Sequence, residues 1–220
     1  GINLNSSELT IGKEADVNGE IKASNSVINL SGDLDHYIDK FDGSNTYDDG
    51  LKYHQNVEKG NLLVKDVSFK NKIVMDSDSM LKVGGTTTKL RELVVNGKNT
   101  APARSIVAGS GKLEIEDLEV SGANKLTFDP DTTVMKNLNI KDFGTANEPI
   151  LDFKKVLTLG AGMKFNIDFT AALKGQMTAD KTYTLVSATN IVNKGAIFNM
   201  EQKINDLFTT YTIKDGKILM

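Results

Sequence analysis

The feature that most constrains this chain is a short alternating strand that returns at a nearly fixed interval. Leu93-Val94-Val95 is followed 25 residues on by Leu118-Glu119-Val120, then after 20 by Leu138-Asn139-Ile140, then after 25 by Met163-Lys164-Phe165. Further upstream, Ile2-Asn3-Leu4 returns as Ile28-Asn29-Leu30 and Val67-Ser68-Phe69 as Leu93-Val94-Val95, each 26 on. A second series keeps the same step: Leu81 and Val83, then Ile106 and Ala108 after 25, Leu126 and Phe128 after 20, Leu151 and Phe153 after 25. Two strand positions advancing in lockstep are what one coil per 20 to 26 residues produces, and sequence self-similarity at such a period marks a solenoid. An irregular sandwich with accidentally even spacing is the competing arrangement.

The composition fits a narrow coil interior. Aromatics are 6% of the 220 residues and Trp is absent, so a core must be built from Val, Ile, Leu and some Phe. Outward positions carry charged and amide residues, as in Lys112-Leu113-Glu114-Ile115-Glu116. Tight corners call for positive φ, which Gly and Asn supply most readily, and Gly84-Gly85, Asn96-Gly97 and Ser121-Gly122 fall between strands. No helical 3.6-residue pattern persists. The expected fold is all-β: a right-handed parallel β-helix with a β-rich C-terminal cap.

Two interruptions divide the chain. From Leu30 to Phe69 the step is 39, and the surplus falls in 33–60, which holds Asp33, Asp35, His36, Asp39, Asp42, Asp48, Asp49 and His54 together with four aromatics. The second break follows Ile167, where Phe169 to Met177 reads as a strand end or short helical turn before strands resume at Tyr183-Thr184-Leu185-Val186. The expected organisation is therefore coils over 1–167, interrupted at about 33–60, and a capping region over 168–220.

Several function classes fall away. Net charge is −3, so the clustered Lys and Arg of a nucleic-acid binder are missing. With no Cys there are no disulfides, thiol chemistry or Cys-based zinc sites. No stretch is apolar enough for a membrane-spanning helix. The opening Gly1-Ile2, without initiator Met or signal peptide, reads as part of something longer. Asp42-Gly43-Ser44-Asn45-Thr46-Tyr47-Asp48 has the alternating oxygens of a calcium loop, but Tyr47 replaces the turn glycine and Tyr53 the terminal Glu. A solvated acidic loop with turn residues is the reading, a looser cation site from Asp33, Asp35 or Asp39 the alternative to it, and no cofactor is expected. For polysaccharide cleavage, Asp76 and Asp78 would share a strand face, yet Asp76-Ser77-Asp78-Ser79 looks like a turn, and the only histidines are His36 and His54. The reading is of a non-enzyme whose partner-binding loop comprises Asp35, His36, Asp39, Asp42, Tyr47, Asp48, Asp49, Tyr53 and His54.

The order of the closing segments is similar to the end of type V autotransporter passengers. The residues that carry this are Leu157-Thr158-Leu159-Gly160-Ala161-Gly162, Phe165-Asn166-Ile167-Asp168, Asp180 to Ala188, and the final Tyr211-Thr212-Ile213-Lys214-Asp215-Gly216-Lys217-Ile218-Leu219. The resemblance implies a Gram-negative protein exported across the outer membrane to the surface or medium. It also implies a cap that assists passenger folding, and an outer-membrane β-barrel downstream. The family's serine-protease motif is missing from this stretch, so any protease domain is expected upstream. The implied role is a scaffold of an adhesin or toxin meeting a host-cell surface protein or glycan. Self-association in a surface layer, or polysaccharide processing, are the alternatives.

Overall fold

A computed structural model describes residues 2–11, 21–24, 27–34, 62–76, 80–96, 105–121, 125–144, 149–179, 181–199, 203–204 and 206–220. The N-terminal strands are β1 (Ile2–Asn5), β2 (Glu8–Ile11), β3 (Ile21–Ser24), β4 (Val27–Leu34) and β5 (Leu62–Asp76). The middle comprises β6 (Leu81–Gly84), β7 (Thr87–Asn96), β8 (Val107–Gly109), β9 (Lys112–Ser121), β10 (Leu126–Phe128), β11 (Thr132–Phe143), β12 (Leu151–Leu159) and β13 (Lys164–Phe169). After helix α1 (Ala171–Gln176) come β14 (Thr184–Asn193), β15 (Ile197–Asn199), β16 (Lys203–Ile204), β17 (Leu207–Phe208), β18 (Thr212–Lys214) and β19 (Lys217–Leu219).

The pairing is that of a parallel β-helix with three faces. On the first face Leu81 pairs with Val107, Val107 with Phe128, Leu126 with Leu151 and Leu151 with Val186. On the second, Thr88 pairs with Leu113, Leu113 with Thr132, Thr132 with Leu157 and Leu157 with Ile191. On the third, Leu93, Leu118, Leu138, Phe165 and Phe198 follow one another. The long strands are bent, each crossing a corner: β11 pairs through 132–134, slips register, and resumes at Asn137. Burial shows the same break, alternating on both sides of Glu116–Asp117 in β9. Backbone groups are thus satisfied between coils, and each inward side chain stacks on its counterpart above and below.

The core is aliphatic in the middle, with Leu93, Val95, Leu113, Leu118 and Leu126 all fully buried. It becomes aromatic toward the C-terminal end, where Phe128 stacks near Phe153 at 5.0 Å and Phe165 near Phe198 at 5.3 Å. Outside, charged and amide pairs bridge coils: Lys136 to Glu116 at 2.5 Å, Lys141 to Glu119 at 2.8 Å and Asn166 to Asn139 at 2.6 Å. Exposed pairs of this kind contribute little each. At the corner after β8, Gly109 has φ +109, and a Cβ there would lie 2.1 Å from the Val83 carbonyl oxygen, so coils approach too closely for any side chain.

Several sequence registers are corrected. Ile2 pairs with Ile21, and Ile28 pairs with Leu9 on another face, so the 26-residue step between the two Ile-Asn-Leu tripeptides relates no neighbours. Phe69 pairs with Leu90, and Leu93 stacks on Ile73. Val107 replaces Ile106 beside Leu81, and Phe165 replaces Met163 beside Leu138. Between Leu62 and Phe165 the observed steps run from 19 residues (Leu62 to Leu81) to 27 (Leu138 to Phe165), and they lengthen to 34 from Ile28 to Leu62 and 35 from Leu151 to Val186. Asp33 and Leu34, at the start of the expected interruption, pair with Ser68 and Phe69 in the ladder. Parallel pairing also continues beyond Ile167, since β12 pairs with β14 and β13 with β15.

Candidate functional site

The described part of the chain departs from its own repeat at the C-terminal end. Leaving Phe169, the chain turns into α1, whose Thr170 hydroxyl accepts from the Leu173 N–H at 3.2 Å, an N-cap that satisfies one orphan donor of the first turn. Leu173 and Met177 bury themselves against the core, so the extra residues leave the stack and rejoin it without breaking it. The step from Leu151 to Val186 is consequently 35 residues.

The first face then stops propagating. β19 runs antiparallel to β14, with Val186 opposite Ile218, and β18 pairs antiparallel with β19. Tyr183 and Met220 exchange both backbone bonds, at 2.8 and 2.9 Å. The β18–β19 turn is Asp215-Gly216, both at positive φ (+49 and +69), as a two-residue hairpin of primed type requires. Gly216 is needed twice over: its carbonyl accepts the Ala188 N–H at 2.7 Å, and a Cβ would fall 2.2 Å from the Ala188 oxygen. Ile218 is fully buried, and Tyr211 stacks on Phe198 at 6.2 Å and 10°, continuing the aromatic column into the hairpin. The hairpin occupies the edge of β14, which would otherwise offer unpaired backbone to another chain.

One buried charge lies on this last stretch of the first face. Asp152 stands between inward Leu151 and Phe153, with Thr127 beside it on the preceding coil and Ser187 on the next. It is 8% exposed. Ser187 donates to Oδ1 at 2.6 Å, Lys154 donates to Oδ2 at 2.7 Å, and Lys125 lies 3.2 Å from Oδ2. Burial pushes the carboxyl up, while hydrogen bonds from Lys154, Ser187 and Lys125 and the charge of Lys125 pull it down and prevail, holding it below the ordinary aspartate range. With its oxygens engaged by cations and a hydroxyl, Asp152 is placed to tie three coils together; a general base would need a free oxygen. Its sequence signal was available: Thr127, Asp152 and Ser187 are outward positions of successive repeats.

The loop residues expected to meet a partner, Asp35, His36, Asp39, Asp42, Tyr47, Asp48, Asp49, Tyr53 and His54, all lie outside the described residues, as does Asp78. Asp76 is the last residue of β5, paired with Asn96. Among the described residues no group of three His, Cys, Asp or Glu is placed to hold a metal ion, and no helix is long and apolar enough to cross a membrane.

Comparison with known proteins adds a likeness. No family model matches the chain, and no solved structure matches it significantly. It is 30% identical over 136 residues to the serine protease Pet autotransporter of Escherichia coli O44:H18, a stretch covering 57% of this chain and 10% of that protein. It is similar to autotransporter passengers. The serine proteases EspC of E. coli O127:H6 and EspP of E. coli are each 27% identical, over 128 and 135 residues, covering 57% and 59% of the chain and again 10% of the relative. The chain thus spans about a tenth of the length of the curated relatives it matches. The autotransporter likeness places it at the cell surface or in the medium of a Gram-negative bacterium. The expectation of a non-enzyme is corrected, because all of these relatives are named serine proteases. The matched stretch is about a tenth of those proteins, and residue patterns within a repeat carry no information on what the rest of a polypeptide does.

Proposed function

We propose that this chain is the C-terminal part of the passenger of a secreted serine protease autotransporter, forming a stiff β-helical stalk and the cap that closes it. In this reading the protease belongs to the wider passenger and the barrel to the same polypeptide. The supporting observation is the change from parallel to antiparallel pairing at β14, where the β18–β19 hairpin occupies the ladder edge. Coil-to-coil stacking gives reach and resistance to local opening, and the closed end removes a template for aggregation. The hairpin and last coil contain the aromatic contacts Phe165–Phe198 and Phe198–Tyr211, so they can form a folded unit on which preceding coils add one at a time. The test is secretion of the full-length protein carrying Gly216→Val. The expected result is normal barrel assembly with little protease-resistant passenger in the medium and little peptidase activity there. Wild-type amounts of folded passenger from this variant would refute the role of the cap.

A further inference from the structure

Beside the hairpin the chain forms a cleft of about 470 Å³, lined from 177–179, 181–183, 204 and 207–210 and by Met220. That is within the size range of small-ligand sites. Its floor is apolar, with Met177 and Ile204 buried, and its rim carries the exposed residues Thr178, Lys181, Thr182 and Thr210. Two observations set this cleft apart. Tyr183 lines it and is 2% exposed, yet its hydroxyl has no hydrogen-bond partner, a costly arrangement for a buried polar atom. Phe208 also lines it, with 84% of its surface exposed.

We propose that this cleft binds a sugar residue of a glycan. A pyranose offers an apolar C–H face for the Phe208 ring and hydroxyls that both donate and accept, which suits the threonine rim and the orphaned Tyr183 hydroxyl. Lys181, whose Nζ lies 5.2 Å from the Tyr183 ring centroid, adds a donor and one positive charge at the mouth, compatible with an acidic sugar. A peptide strand fits less well. Strand addition reads main-chain groups, and here those of Tyr183 and Met220 are engaged with each other. This site is independent of the protease reading.

The test titrates the purified full-length passenger with glucose, galactose, N-acetylglucosamine and N-acetylneuraminic acid, using saturation-transfer NMR. At least one sugar should bind with a millimolar Kd. Phe208→Ala should weaken it about tenfold and Tyr183→Phe about fivefold. Because the Tyr183 hydroxyl is unpartnered in the free protein, Tyr183→Phe should leave Tm unchanged or raise it. Binding of none of the four sugars would overturn the proposal, as would binding that both variants retain, or a lower Tm for Tyr183→Phe. Protection of Phe208 by a segment of the same polypeptide in the full-length passenger would show that the cleft houses protein, and would overturn it equally.

Discussion

The coil built from β8 and β9 and the coil built from β14 and β15 use the same three faces, yet they are held differently. The first is covered above and below by parallel neighbours, and its inward residues Leu113, Ile115, Leu118 and Val120 are fully buried aliphatics. The second has a parallel neighbour on one side and, along its first face, an antiparallel hairpin on the other. Val192 and Ile197 near its corner are 38% and 50% exposed. A middle coil draws stability from two near-copies of itself; the last coil needs a partner of different design. The contrast explains why aromatics gather there, since large rings bury more surface per residue where fewer coils contribute.

The comparison can be broken at either end. Leu118→Ala, in the centre of the third-face stack, should cost the most, about 3 kcal/mol by chemical denaturation, because the cavity is walled by Leu93 and Leu138 on adjacent coils. Equal hydrogen-exchange loss across all coils would show that the stack opens as one unit; loss confined to neighbouring coils would show nearest-neighbour coupling. Gly216→Val should cost about 2 kcal/mol from the left-handed backbone, with the Ala188 contact adding to it. Exchange should rise in β14, β18 and β19 first, and a rise in β9 of the same size would erase the distinction between coil and cap.

Smaller effects sharpen the picture. Asp152→Asn should cost about 1 kcal/mol at neutral pH by weakening the charge-assisted bonds from Lys154 and Lys125. The folded carboxyl titrates below an unfolded aspartate, so its contribution is present above the ordinary carboxylate range and lost as pH falls through the folded value. Wild type and variant should therefore converge in acid, and a stability gap that shows no decrease as pH falls below the ordinary carboxylate range would contradict the assignment. Lys136→Ala, removing an exposed pair with Glu116, should change stability by less than about 0.5 kcal/mol, measured the same way.

The sequence carried the repeat where side-chain pattern and stacking coincide, as in Leu93, Leu118 and Leu138, or Leu126 and Leu151. It slipped by one at Ile106 because Ile106 and Val107 are both buried, leaving no alternation to set the phase. It slipped by two at Met163 because residues two apart on a strand share a face, and Met163 is as buried as Phe165. The two Ile-Asn-Leu segments misled for a different reason: they sit on different faces, and stacking constrains inwardness far more than identity. The closing strands were met through the likeness of Tyr211 to Leu219 to the end of a passenger, and the local signal for their turn is Asp215-Gly216. The cleft around Tyr183 was not, since it brings together 177–179, 181–183, 204, 207–210 and Met220 by contacts with no periodicity.

Helix α1 shows how length enters this fold. The extra residues leave after Phe169 and return before Tyr183, while Phe165 and Phe198, 33 positions apart in sequence, still pair in register and bring their rings into contact in neighbouring layers. Corners are thus free of the spacing rule that binds the strands. A foreign epitope or affinity tag spliced beside Gly175, which is exposed with open space around it, would be carried on the outside of the stack at a fixed height, leaving the layers on either side in register.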